Sequence, residues 1–131
     1  MSVTAMILML TVGRLTAPPP PPTPIVGGED ASGAEWAGVA SIEVRGALCT
    51  GVLVDRRVLL TAAHCLADRP PLSAITIKFG TNVRSPEVVT GAERYGIHPL
   101  YCPSRECDGD NFDVAFIQLA KEHHVLPVAL V

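Results

Sequence analysis

The apolar positions of this chain fall in short runs, with none of the long stripes that an amphipathic helix leaves. Residues 39–44, 48–54, 58–61, 75–79, 87–92 and 113–119 hold the apolar pattern, several of these runs are rich in Val and Ile, and Gly, Pro, Asp and Asn separate them. Successive side chains of a strand point to opposite faces, so partial alternation within runs of this length predicts half-buried antiparallel strands. The breakers between the runs leave no room for helices of useful length. One exception follows the third run, where 62–67 can make a single helical turn. The fold class expected from the pattern is all-β.

Composition narrows the class. The chain has 131 residues, 48% of them hydrophobic and 18% charged, with a net charge of -3. That is the profile of one ordinary globular domain, and it lacks the basic excess on which nucleic-acid binding depends. Residues 5–12 form an apolar run that is much shorter than the roughly 20 residues of a membrane-spanning helix, so no membrane span is expected and 1–17 reads as a signal peptide. Its departures from that pattern are the absence of Lys or Arg before the run and the position of Arg14 after it. Residues 18–24 hold six prolines and one threonine. Proline can neither continue a helix nor donate a ladder hydrogen bond, so this segment is an extended linker. The domain proper is 25–131.

Three motifs occur in order within it. Ile25-Val26-Gly27-Gly28 opens the domain, Thr61-Ala62-Ala63-His64-Cys65 ends the hairpin that begins near Cys49, and Asn111-Phe112-Asp113-Val114-Ala115-Phe116 opens the last strand. Together they resemble the chymotrypsin-like (trypsin-like) serine endopeptidases. The resemblance implies a six-stranded antiparallel barrel like the first barrel of that family, an architecture that leaves no open strand edge. It also implies that His64 is the general base, Asp113 its orienting carboxylate, and Ile25 the mature amino terminus. An imidazole titrating near neutrality can take a proton from a hydroxyl and return it to a leaving amine, and a carboxylate on its other nitrogen fixes the tautomer. In the family Cys49 and Cys65 form a disulfide beside the base. The rival, metal ligation by the two cysteines and His64, matches no common zinc spacing. Cys102 and Cys107 flank a four-residue loop and are close enough to pair, the alternatives being free thiols or bonds to another segment. Cysteines in these positions support an oxidising, secreted or periplasmic location.

The family's nucleophile segment, Gly-Asp-Ser-Gly-Gly, is not in these residues: the one Gly-Asp step, Gly109-Asp110, runs into Asn111. Ser41, Ser73, Ser85 and Ser104 lack the glycine-rich setting that builds an oxyanion hole. The expectation is therefore a truncated peptidase domain with the second barrel absent, inactive alone, whose substrate in a full-length form is a protein or peptide. A separate chain supplying the second barrel is the assembly version of the same idea. The alternative from another class is a non-catalytic barrel, a pseudopeptidase, that binds a protein partner or inhibitor. No cofactor or metal is expected. Pro24 precedes Ile25 in place of the basic residue that a trypsin-like activator cuts after. His98, His123 and His124 are expected at the surface, and Trp36 and Tyr95 in packing roles.

Overall fold

The computed structural model describes residues 27–28, 31, 33–103, 107 and 111–124. The predicted signal peptide at 1–17, the predicted linker at 18–24 and Ile25 lie outside the described residues.

Six strands form the fold: β1 (Val39–Val44), β2 (Ala47–Asp55), β3 (Val58–Thr61), β4 (Ile75–Phe79), β5 (Val88–Ile97) and β6 (Ala115–Leu119). Every pairing is antiparallel, and the order β1-β2-β3-β6-β5-β4 closes with β4 against β1. Closure pairs both sides of every strand, so the barrel presents no unpaired ladder to solvent. The core is what the alternation of the sequence sends inward: Ala40 and Ile42 from β1, Leu53 from β2, Leu59 from β3, Ile75, Ile77 and Phe79 from β4, and Ala115, Ile117 and Leu119 from β6. Ala63 and Leu66 seal the end of the barrel from the turn after β3. Burying an aliphatic or aromatic side chain of this size contributes about 1.5–3 kcal/mol, so this cluster is the main source of stability.

Three strands run as the sequence predicts, and the other three differ, each for an identifiable reason. β2 extends by one residue at each end because Ala47 and Asp55 join ladders already started by their neighbours. β5 begins one residue late and runs on to Ile97, through charged Glu93 and Arg94 and through Gly96, which the apolar pattern could not mark as strand. Its register slips between Ala92 and Arg94 against β6. A bulge of this kind adds a residue to one strand and sharpens its bend, as a small barrel requires. β6 begins at Ala115 and not at residue 113. The N–H of Val114 is donated to the carbonyl of Phe112 at 2.7 Å, and that tight turn takes Asp113 out of the ladder. The excluded residue is the aspartate expected at the site.

Candidate active site

β3 carries the chain to one rim of the barrel, where Thr61 ends it. The Thr61 hydroxyl donates to the carbonyl of Thr50 at 2.9 Å, tying the end of β3 to β2. Extended Ala62 then gives way to a single 3-10 turn, Ala63–Leu66, inside the 62–67 segment predicted to make one helical turn. Ala63 and Leu66 are buried, so the turn is rooted in the core while His64 points away from it. Cys65 pairs with Cys49 of β2 across the hairpin. The base of the turn is thus fixed covalently on one side and by packing on the other.

Asp113 arrives from the far end of the chain, on the segment before β6. Since β6 pairs with β3, with Thr61 opposite Ala115, the ladder itself brings the two segments together. Oδ2 of Asp113 lies 2.8 Å from Nδ1 of His64, and Oδ1 accepts the backbone N–H of His64 at 2.8 Å. The imidazole hydrogen bond and then the backbone one hold the Asp113 carboxyl below its ordinary value of 3.8, while partial burial opposes them. A carboxylate against Nδ1 favours the tautomer with its proton there, leaving the Nε2 lone pair to act. The His64 side chain is 62% exposed, and among the described residues its ring has no partner other than Asp113, so the Nε2 edge faces the open rim.

Other predicted residues fall as follows. The Cys102–Cys107 disulfide is present, closing the loop that leads to Asp113. Sγ of Cys49 and Cys65 and a ring nitrogen of His64 lie within 4.8 Å of one another, but the two sulfurs are bonded to each other, so neither is a thiolate available to a metal. Ser41 donates weakly to the carbonyl of Lys78 at 3.5 Å on the barrel wall, and Ser73 and Ser85 are exposed in connections. Ser104 lies outside the described residues. Tyr95 packs on the core and donates its hydroxyl to the carbonyl of Pro70 at 2.9 Å. Trp36, by contrast, is 49% exposed and not a core residue. Two of the histidines expected at the surface are half-buried in ring stacks: His98 on Phe112 and His123 on Phe79. Sequence alone gives no sign of such pairs, because their members are brought together by the barrel and not by spacing.

The Trypsin family model matches residues 25–131. The chain belongs to the trypsin family. Curated relatives agree: a hepatocyte growth factor activator serine protease of Mus musculus is 30% identical over 102 residues, 75% of this chain and 15% of the relative. Transmembrane protease serine 11B of Homo sapiens is 31% identical over 99 residues, 75% of this chain and 23% of the relative. Among solved structures, the VesB protease of Vibrio cholerae superposes with a TM-score of 0.63 at 27% identity, covering 79% of this chain and 33% of that one. The trypsin-like barrel is therefore shared in fold and sequence, while the chain spans less than a quarter of the curated relatives' length. Among the described residues no helix is long and apolar enough to cross a membrane.

Proposed function

We propose that this chain is the base-bearing half of a serine endopeptidase, in which His64 is the general base and Asp113 its orienting partner. The observation that carries the reading is the two-point hold of Asp113 on His64, on Nδ1 and on the backbone N–H, each at 2.8 Å. In the reaction, Nε2 of His64 takes the proton of a serine hydroxyl as it attacks the scissile carbonyl and later delivers it to the leaving amine. Asp113 stays ionised and stabilises the imidazolium that forms in between. The serine and the oxyanion donors belong to the family's nucleophile segment, which these 131 residues do not contain, so the reaction needs a second barrel in the same polypeptide or from another chain. Proteins or peptides are the proposed substrates. The proposed location is secreted or periplasmic, supported by the two disulfides and by the leader-like run at 5–12.

The test starts at the gene. Reading the transcript past Val131 in three frames should reveal a Gly-Asp-Ser-Gly-Gly segment, and the polypeptide carrying it should hydrolyse peptide substrates and take up a fluorophosphonate probe. The 131 residues alone should do neither. His64→Ala in the complete polypeptide should lower kcat by a factor on the order of 10⁶, and Asp113→Asn by about 10⁴, values carried over from triad enzymes. A complete polypeptide that keeps its activity after either change overturns the proposal.

A second reading, a non-catalytic barrel that binds a protein, is favoured by one observation. Leu60, Ile97, Pro99, Val114 and Phe116 line an apolar groove on the outer wall of the barrel, and Val114 and Phe116 are 41% and 36% exposed. An apolar surface of that kind calls for a covering partner. A transcript that stops at Val131, with no peptidase half elsewhere, would decide for it.

A further inference from the structure

Phe112, next to Asp113, has φ 46°, in the left-handed region that a bulky side chain seldom enters. Such a conformation persists only where its surroundings impose it, and it is most informative beside a functional group. The surroundings here are the turn 98–102. The N–H of Cys102 is donated to the carbonyl of Asn111 at 3.0 Å, and the N–H of His98 to that of Val114 at 3.0 Å, so the turn grips the segment on both sides of Asp113. Between those grips the ring of His98 lies flat on the ring of Phe112, with centroids 4.8 Å apart and planes 6° from parallel. That separation is typical of a favourable offset stack. The His98 ring is itself oriented, because Nδ1 accepts the N–H of Leu100 at 3.2 Å, and the His98 carbonyl accepts the N–H of Tyr101 at 2.9 Å.

We propose that His98 is a positioning residue for the Asp113–His64 pair, acting through its stack on Phe112. The inference rests on the reading of that pair given above. The stack keeps Phe112 in its left-handed conformation, and that conformation, with the tight turn from Val114 to Phe112, aims the Asp113 carboxylate at the His64 backbone N–H and at Nδ1. Without the ring, Phe112 relaxes to an ordinary backbone conformation, the peptide between residues 112 and 113 rotates, and the carboxylate leaves both of its donors. The stack demands a planar ring and not a titratable one, so phenylalanine can supply it, losing only the Leu100 bond that orients the ring.

Amide hydrogen exchange on the full chain tests this directly, because the His64 amide is protected by the bond to Asp113. His98→Ala should speed exchange of the His64 amide by about tenfold or more, leaving the amides of Leu53 and Leu119 at the native rate. Those two donate to Gly38 and Arg57 in the barrel and report its integrity. His98→Phe should restore most of the native protection of His64, since it keeps the stacked ring and loses only the Leu100 bond. Native protection in His98→Ala, equal loss in His98→Phe, or a matching rise at Leu53 and Leu119 each overturns the proposal, the last by making the effect general unfolding. Asp113→Ala separates the two levels of the argument. If it leaves the His64 amide unchanged, the pair itself is not what protects that amide and both readings fall; if it speeds exchange where His98→Ala does not, only the role of His98 falls.

Discussion

Asp113 holds His64 by two different parts of the residue: Oδ1 takes the backbone N–H and Oδ2 the ring nitrogen, both at 2.8 Å. The first fixes where the turn sits, and the second fixes how the ring is rotated. The distinction yields a prediction, because only the second bond is lost when the side chain is removed. In His64→Ala the Asp113 carboxyl should rise toward its ordinary 3.8 without reaching it, since the backbone N–H still holds Oδ1. A carbon-detected NMR titration of the Asp113 carboxyl checks this. No movement at all would mean that the imidazole contributes nothing to the depression. For stability the sign follows from a carboxyl depressed in the folded state: its contribution is complete above pH 3.8 and is lost as the pH falls through the folded value.

The bond between Cys49 and Cys65 joins residues 16 apart in sequence, and in the chain-entropy account a loop of that length stabilises by about 3 kcal/mol. The double substitution Cys49→Ala, Cys65→Ala should lower the free energy of unfolding by about that amount in urea titrations, with an m-value equal to or above the native one because the unfolded chain without the cross-link exposes more surface. Neither cysteine is among the fully buried core residues, although both pack against them, so the variant should stay folded at room temperature. A loss below about 0.5 kcal/mol would show that the hairpin is already restrained in the unfolded chain.

Much of the fold and the heart of the site were legible in the sequence, and the reason is physical. Strands β1, β3 and β4 are rich in β-branched and apolar residues, with Glu43 and Lys78 at alternate, outward positions, and their ends match the pattern. The histidine motif and the aspartate motif are contiguous, so His64 and Asp113 could be named before any geometry was known. What escaped was set by tertiary neighbours. β5 carries Glu93 and Arg94 on its outer face, where Glu93 accepts from Arg57 at 2.6 Å and Arg94 lies over the ring of Phe116. Those partners come from the turn between β2 and β3 and from β6, so a local pattern reads the charges as loop. Gly96 was equally opaque, yet the ring of Phe116 lies where its Cβ would be. The left-handed Phe112 and its stack on His98 leave no trace in composition or spacing.

Gly51 shows how closely the barrel is filled. It is buried at the centre of β2, opposite Ala40, and a Cβ there would lie 2.7 Å from Cδ1 of Ile42 and 3.2 Å from the Leu60 carbonyl oxygen. Gly51→Ala should therefore destabilise by about 1–3 kcal/mol, as overpacking of a close-packed core does. Ile42→Val removes the methyl group in the way, so the double variant should lose less than the sum of the single changes. Strict additivity in denaturant titrations would place the clash elsewhere.

His123 supplies the last prediction, and the sign of its effect is opposite to the intuition that a histidine gains from a nearby acid. Its ring stacks on Phe79 at 3.8 Å between centroids, and burial pushes its pKa below 6.5, with His124 adding to the depression and Glu87 only partly offsetting it. The unfolded chain binds this proton near pH 6.5 while the folded chain resists it to lower pH, so in that window the unfolded state carries more protons and stability rises with pH. The contribution is complete above pH 6.5 and is lost as the pH falls below it. His123→Phe keeps the stack and removes the titration, so its unfolding midpoint should fall less than the native one between about pH 7.5 and about pH 5.5. The other three histidines are common to both proteins, so the difference reports the His123 site together with its coupling to His124. Parallel declines in the two proteins would mean that the His123 ring is charged as easily in the fold as out of it, and that its stack on Phe79 does not depend on the neutral form.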